Sequence, residues 1–281
     1  METILLLGQY QLPYVRKEME YFQNFFAPHF HVRTYDLSHP NVEVKESSAE
    51  FALVFGGDGT IIYAARLLVY KRIPILGVNL GKLGFLTGAT SQELQNIPPK
   101  ALLAYFQISR RLTLEVRVLE GKKTLFQCPV INDLVISFIG ISRIIPISYR
   151  LDGEYVTTAY GDGLIVATPV GSTAYSLSAG GPVITPEMEA LVITPICPHT
   201  LNNRPLIIDA KTQIQLTVAE KGKEAALTVD GQITKNVDHR HKIVVRRSRF
   251  PFILLQPTDQ SFFKTMRQKL GWSEPPRYKN H

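Results

Sequence analysis

The stretch Phe51-Ala52-Leu53-Val54-Phe55-Gly56-Gly57-Asp58-Gly59-Thr60 constrains this chain more than any other, because five apolar residues run directly into three glycines around one carboxylate. Five residues are too few for a buried helix and suit a strand covered on both faces. The Ile61 to Val69 segment that follows suits a helix. Glycines at such a turn reach positive φ and let backbone N–H groups approach a phosphate, with a helix N-terminus behind them. Asp58 is the odd member. A carboxylate repels phosphate oxygens, so its presence points to a metal, a hydroxyl or a proton to be managed there. The same residues also fit a plain tight turn in which Asp58 is a turn former or a helix N-cap.

The flanking sequence extends the first of these readings. After an apolar strand, Ile75 to Val78, comes Asn79-Leu80-Gly81-Lys82-Leu83-Gly84-Phe85-Leu86, a second glycine loop at the carboxyl end of a neighbouring strand. Open α/β sheets bind ligands in that crevice. Thr3 to Leu7 reads as a first strand, Pro13 to Phe26 as a helix and Phe30 to Tyr35 as a second strand, and this alternation predicts an open, mostly parallel sheet. Ser91 to Phe106 reads as helical, interrupted near Pro98-Pro99. From about residue 107 the texture changes. Leu112 to Val118 alternates with a period of two, as do segments near Ile144, Gln213 and Lys242, and Asp152-Gly153, Lys221-Gly222 and Asp230-Gly231 punctuate them as hairpin turns. The expected fold is therefore an α/β N-terminal domain, residues 1–106, and a β-rich, sandwich-like C-terminal domain, residues 107–257. A helical Ser261 to Leu270 within 258–281 is expected to pack back onto the first domain.

Composition sets ordinary bounds. With 281 residues, 45% of them hydrophobic, the chain can bury one large core or two smaller ones, and two fit the change of texture better. No apolar run approaches the eighteen or so residues of a membrane span, and the N-terminus carries no signal-peptide pattern, so a cytoplasmic protein without membrane contact is expected. Cys128 and Cys197 fit neither a disulfide framework nor a metal-ligand spacing and read as small core residues. The net charge of +7 favours polyanionic partners. Lys and Arg are scattered, without a long basic helix or an aromatic RNA-binding pattern, so nucleotides rather than nucleic acid are expected. Arg246, Arg247 and Arg249 form the densest cluster and read as a solvated edge or turn.

The densest chemistry lies in the second domain, from Gly161-Asp162-Gly163 through Thr168-Pro169-Val170-Gly171-Ser172-Thr173-Ala174-Tyr175-Ser176-Leu177-Ser178 to Gly180-Gly181-Pro182. So many small and hydroxylated residues build no core, yet they present amides and hydroxyls to a polar ligand with little obstruction. Leu164 to Ala167 reads as a strand and Thr173 to Ser178 as a helix, which argues against a slack loop.

Taken together and in this order, Gly-Gly-Asp-Gly-Thr, the Asn79 to Leu86 segment and the Thr173 to Pro182 segment resemble the NAD kinases. The likeness continues through Pro198-His199-Thr200-Leu201, Arg204-Pro205, Asp230-Gly231-Gln232 and the closing Phe262-Phe263 to Leu270-Gly271-Trp272, and so spans nearly the whole chain. The first motif is shared with phosphofructokinases and with lipid kinases; the Asp162 to Pro182 segment is far more specific. The resemblance implies transfer of the ATP γ-phosphoryl group to the 2′-hydroxyl of the adenosine ribose of NAD, giving NADP. It also implies a divalent cation, Mg²⁺, carried in with ATP, and a homodimer or homotetramer. It makes Asp58 the proton acceptor, with Gly59 beside it on the dinucleotide. Asn132 and Asp133 would hold the adenosine portion and its ribose. Asp162, Thr173, Ala174, Tyr175, Ser176, Leu177 and Ser178 would line the dinucleotide pocket. Gln232 joins them by motif, Arg143 and Tyr160 by position. His199 reads as a structural hydrogen-bonding residue. One departure is notable: the family carries Asn-Glu where this chain has Asn132-Asp133, one methylene shorter. No dedicated metal site is expected, because Mg²⁺ takes most of its ligands from phosphates and water.

Overall fold

The computed structural model describes residues 1–81, 84–140, 144–200, 202–258 and 261–271. Of the residues singled out above, Lys82, Leu83, Arg143, Leu201 and Trp272 lie outside the described residues. In chain order the elements begin β1 (Thr3–Gly8), α1 (Pro13–Phe26), β2 (His31–Asp36), β3 (Phe51–Phe55), α2 (Asp58–Leu68), β4 (Ile75–Asn79), β5 (Thr87–Thr90), α3 (Ser91–Gln95) and β6 (Phe106–Arg111). They continue with β7 (Leu114–Glu120), β8 (Lys123–Val130), β9 (Asp133–Phe138), β10 (Ile145–Leu151), β11 (Glu154–Gly161), β12 (Gly163–Ala167), α4 (Tyr175–Ser178), β13 (Ala190–Ile196) and β14 (Leu206–Asp209). The last are β15 (Ile214–Val218), β16 (Glu224–Val229), β17 (Ile233–Asp238), β18 (His241–Arg247), β19 (Phe252–Pro257) and α5 (Phe262–Leu270).

The chain divides into two compact units: Met1–Ser109 with Ile253–His281, and Arg110–Phe252. In the first, the sheet runs β2-β1-β3-β4-β19-β6, with β5 beside β4. The pairs among β1, β2, β3, β4 and β5, and that of β19 with β4, are parallel. Its central strands are buried on both faces, which is why they read as unbroken apolar runs. Ile4, Leu6, Leu53, Leu76 and Val78 pack with Val15, Met19, Phe22 and Phe26 of α1. Residues of the opposite parity face α2, and a Cβ built at Gly77 would lie 2.4 Å from Ile61 Cδ1. Each fully buried Phe of α1 contributes about 1.5–3 kcal/mol relative to exposure. The proline pair shortens the expected Ser91 to Phe106 helix. A Thr90–Glu93 capping box opens α3, which ends at Gln95, and a 3₁₀ turn over Pro99–Tyr105 follows, since Pro98 and Pro99 offer no N–H to continue an α-helix.

The second unit is a two-sheet sandwich. One sheet runs β11-β10-β15-β18-β7-β8 and the other β14-β13-β12-β9-β16-β17. Side chains from both build one core, including Leu114, Val116, Leu134, Ile136, Leu164, Val166, Leu216 and Ile243. The outer face of the second sheet is also covered: Val135, Ile165, Ala167 and Val192 pack with Ile184. Asp152-Gly153 and Asp230-Gly231 form hairpin turns with both residues at positive φ, 49° and 89° in the first and 51° and 66° in the second.

Three expectations are corrected. The expected β-rich stretch ran to residue 257, whereas Phe252–Pro257 is a strand of the first sheet. Cys128 is buried, but Cys197 is exposed at φ 43°, because it caps the end of β13 rather than filling a core. Arg246 and Arg247 are solvated as expected, but their strand is interior, flanked by β15 and β7, and Arg247 pairs with Glu189.

Candidate functional site

In the first unit the strand order reverses between β1 and β3, and the Gly56–Gly59 loop leaves the carboxyl end of β3 beside that switch point, where open α/β sheets bind ligands. Gly56 sits at φ 151° with its N–H on Val78 O, 3.1 Å away, and a Cβ there would meet Thr60 Oγ1 at 2.7 Å. Gly57 and Gly59 are different. A Cβ at either would touch nothing within 4 Å, so packing does not demand glycine there, and its absence leaves the helix start open to a ligand.

The N-cap of α2 is Gly57, not Asp58. Asp58 takes the first helical position and turns its carboxylate to the second glycine loop: Phe85 N–H donates to Oδ2 at 2.9 Å and Leu86 N–H to Oδ1 at 3.0 Å. Each oxygen keeps a further lone pair for another donor. The approach is close enough that a Cβ at Gly84 would lie 2.0 Å from Asp58 Oδ1. The Phe85 ring is in turn held from the C-terminal helix, 6.2 Å from the Phe262 ring with Lys269 Nζ 5.6 Å from its centroid. The sequence marked this loop as a second glycine loop in the ligand-binding crevice but carried no sign that its amides hold Asp58.

In the second unit, Asn132 and Asp133 lie where β9 begins. Asp133 is 5% exposed and adjacent to Asp230 across the β9–β16 ladder; burial, and then the charge of Asp230, push its carboxyl up to about 7. Asn132 Oδ1 is buried without a hydrogen-bond donor among the described residues, a deficit that native proteins carry where something else is to be bound or moved. The Thr168 to Ser178 segment packs against these residues. Thr168 N–H donates to Asn132 O at 2.8 Å, Thr168 Oγ1 donates to Ile131 O at 2.6 Å, and a Cβ at Gly171 would lie 2.1 Å from Asn132 O. The expected helix over Thr173 to Ser178 is a 3₁₀ turn, Gly171–Thr173, running into α4. Within it Ser176 is fully buried and shares a hydroxyl bond with Thr194 at 2.8 Å, while Tyr175 is 47% exposed. Thr173, Ala174 and Leu177 are half-buried and Ser178 is exposed. Gln232 follows the Asp230-Gly231 turn and so joins Asn132 and Asp133 at this end of the sheet.

Asp162 and Tyr160 are not in that group. They precede β12 and end β11, whereas Asp133 pairs with Ala167 at the other end of β12, roughly 16 Å away at about 3.3 Å per residue. Asp162 instead adjoins Cys197, whose thiol its hydrogen bond and charge push up, and Tyr160 O accepts from His199 N–H at 2.9 Å. Arg143 lies outside the described residues.

A family model described as ATP-NAD kinase N-terminal domain matches residues 14–102, and one described as ATP-NAD kinase C-terminal domain matches residues 131–256. Curated relatives named NAD kinase include that of Geobacter metallireducens, 43% identical over 226 residues covering 80% of each chain, and that of Desulfatibacillum aliphaticivorans, 37% identical over 272 residues covering 97% of this chain and 94% of the other. The chain belongs to the NAD kinase family. Among solved structures, a yeast NADH kinase complexed with NADH has the same fold at TM-score 0.86 and 22% identity, covering 100% of this chain and 90% of that one. An NAD kinase from Archaeoglobus fulgidus in complex with ATP superposes at TM-score 0.72 and 25% identity, covering 96% and 97%. Asp230, which the sequence offered as a hairpin turn within the resemblance, emerges beside Asn132 and Asp133.

Proposed function

We propose that this NAD kinase family member transfers the γ-phosphoryl group of ATP to the 2′-hydroxyl of the adenosine ribose of NAD, yielding NADP. The observation that carries the reading is the Asp58 carboxylate, aimed by two backbone N–H groups beside a helix start that Gly57 and Gly59 leave unobstructed. Phosphoryl transfer passes through a loose transition state, so positioning and charge compensation do most of the catalysis. Asp58 orients the ribose hydroxyl through its remaining lone pairs and accepts the proton late, once the forming bond to phosphorus has made that proton acidic. Gly59 leaves room for the dinucleotide beside it. Asn132 and Asp133 hold the adenosine and its ribose, and Thr173 to Ser178 with Gln232 line the pocket by backbone amides and hydroxyls.

The reading includes a divalent cation. Among the described residues no three His, Cys, Asp or Glu side chains gather into a cage. A Mg²⁺ that enters on ATP takes phosphate and water ligands, and such an ion would neutralise charge on the phosphates. A homodimer or homotetramer is also part of the reading. Tyr160 and Asp162 at one end of β12 and Asp133 at the other serve one dinucleotide most simply when a second copy supplies one of the two groups. No helix among the described residues is long and apolar enough to cross a membrane.

The direct test incubates the purified protein with ATP, Mg²⁺ and NAD and follows NADP with an NADP-specific dehydrogenase. NADP accumulates under this reading; a preparation that is folded and binds ATP yet makes none overturns it. Repeating the assay with polyphosphate and with NADH defines the donor and acceptor range.

A further inference from the structure

Three consecutive residues, Ile131, Asn132 and Asp133, carry six backbone polar groups, and two other residues satisfy all six. Asp230 Oδ1 accepts the N–H of Ile131 at 3.1 Å, of Asn132 at 2.7 Å and of Asp133 at 3.2 Å, and Asp230 Oδ2 adds a 3.2 Å contact to Ile131 N–H. In return Asp230 N–H donates to Asp133 O at 2.9 Å. The two remaining carbonyls, of Ile131 and Asn132, accept from the hydroxyl and the N–H of Thr168. The bonds to the Asp230 carboxylate lie outside the ladders, whereas the bonds from Asp230 N–H to Asp133 O and from Thr168 N–H to Asn132 O continue the registers of β9 with β16 and with β12. Without that carboxylate the three N–H groups at the start of β9 would go unpaired, each at the cost of desolvating an amide.

Asp230 performs this at φ 51°, a conformation that a hairpin of this kind requires and that Asn, Asp and Gly adopt most readily. A turn alone asks for nothing more than that backbone. The carboxylate does something further: it points across the sheet into the loop that carries Asn132 and Asp133. It does so beside the buried carboxylate of Asp133, and the N–H groups it accepts offset the repulsion between the two.

We propose that Asp230 is a positioning residue for NAD binding, its carboxylate clamping the backbone of Ile131 to Asp133 so that Asn132 and Asp133 present their side chains to the adenosine ribose. The inference rests on the NAD kinase reading above. Thr168 is the second jaw of the clamp, and Asp230 is the jaw whose loss can be separated from the turn.

Two substitutions make that separation. Asp230→Gly keeps the left-handed turn and removes the acceptor; Asp230→Asn keeps both the turn and one oxygen, and one oxygen already takes all three N–H bonds. The wild type is assayed first, and its failure to make NADP would count against the functional reading and not against the clamp. With an active wild type, Asp230→Gly raises KM for NAD by about tenfold or more while KM for ATP stays within twofold, and Asp230→Asn returns KM for NAD to within about threefold of wild type. Hydrogen exchange without substrate gives a readout independent of activity: amides 131 to 133 lose protection in Asp230→Gly and the other strands of the sandwich keep theirs. Unchanged KM for NAD in Asp230→Gly overturns the proposal, as does failure of Asn to rescue, or a loss of protection spread evenly through the sandwich, which marks a purely structural residue.

Discussion

Asp58 of the first unit and Asp133 of the second are both carboxylates that the sequence marked, and their surroundings differ in kind. Asp58 is half-exposed at the first turn of α2 and receives a backbone N–H on each oxygen. Asp133 is buried at the start of β9, beside a second carboxylate, and its carboxyl is pushed up to about 7. The first environment aims a charge at a hydroxyl without spending all its lone pairs. The second keeps a group in a place where its anion is unfavourable until a ligand donates to it. The first carboxylate is thus fixed by hydrogen bonds with its charge retained, and the second is held where burial opposes its charge.

The largest effect that could break this contrast is Asp58→Asn. The amide NH₂ replaces one acceptor and faces a backbone N–H, so kcat for NADP formation falls by about 10²–10⁴ while KM for NAD stays within about threefold. Turnover equal to wild type would remove Asp58 from the mechanism. Gly84→Ala tests the aim rather than the charge. Its Cβ falls 2.0 Å from Oδ1 and must displace the carboxylate, and a misplacement of this size lowers kcat by about 10² with the fold retained by circular dichroism.

Asp133 sharpens the comparison through stability. A carboxyl raised from 3.8 to about 7 on folding binds its proton more tightly in the native state. The stability it contributes is therefore fully present below pH 3.8 and is lost as pH rises from about 4 through 7. Asp133→Asn abolishes that loss and leaves the variant more stable than wild type at pH 8 by up to about 4 kcal/mol, read by urea denaturation at pH 5 and pH 8, while KM for NAD rises. Equal pH slopes in the two proteins would show that Asp133 is not held as described. The smallest expected change is Phe262→Ala. Loss of the ring against Phe85 loosens the loop that aims Asp58 and lowers kcat about twofold to fivefold, with KM for NAD unchanged.

Much of the fold was legible because its cues are local. Five apolar residues before Gly56 mark a strand buried on both faces, Pro13 to Phe26 repeats with helical spacing, and Asp-Gly pairs mark two hairpins, each cue acting over a few residues through sterics and burial. The motif order supplied the family. What the local signals missed was contact. Cys197 looks like a core residue by type yet is exposed at the end of a strand, and Arg246 and Arg247 look like an edge yet sit on an interior strand.

By itself the sequence determined which segments are strands, where the glycine loops fall, and that a carboxylate stands in the first of them. Only the tertiary structure decided what each carboxylate is bonded to. Asp58 finds its amides 27 and 28 residues away, and Asp230 finds its three between 97 and 99 residues away. Such partners are chosen by which strands become neighbours and in what register, and no spacing within a segment encodes that.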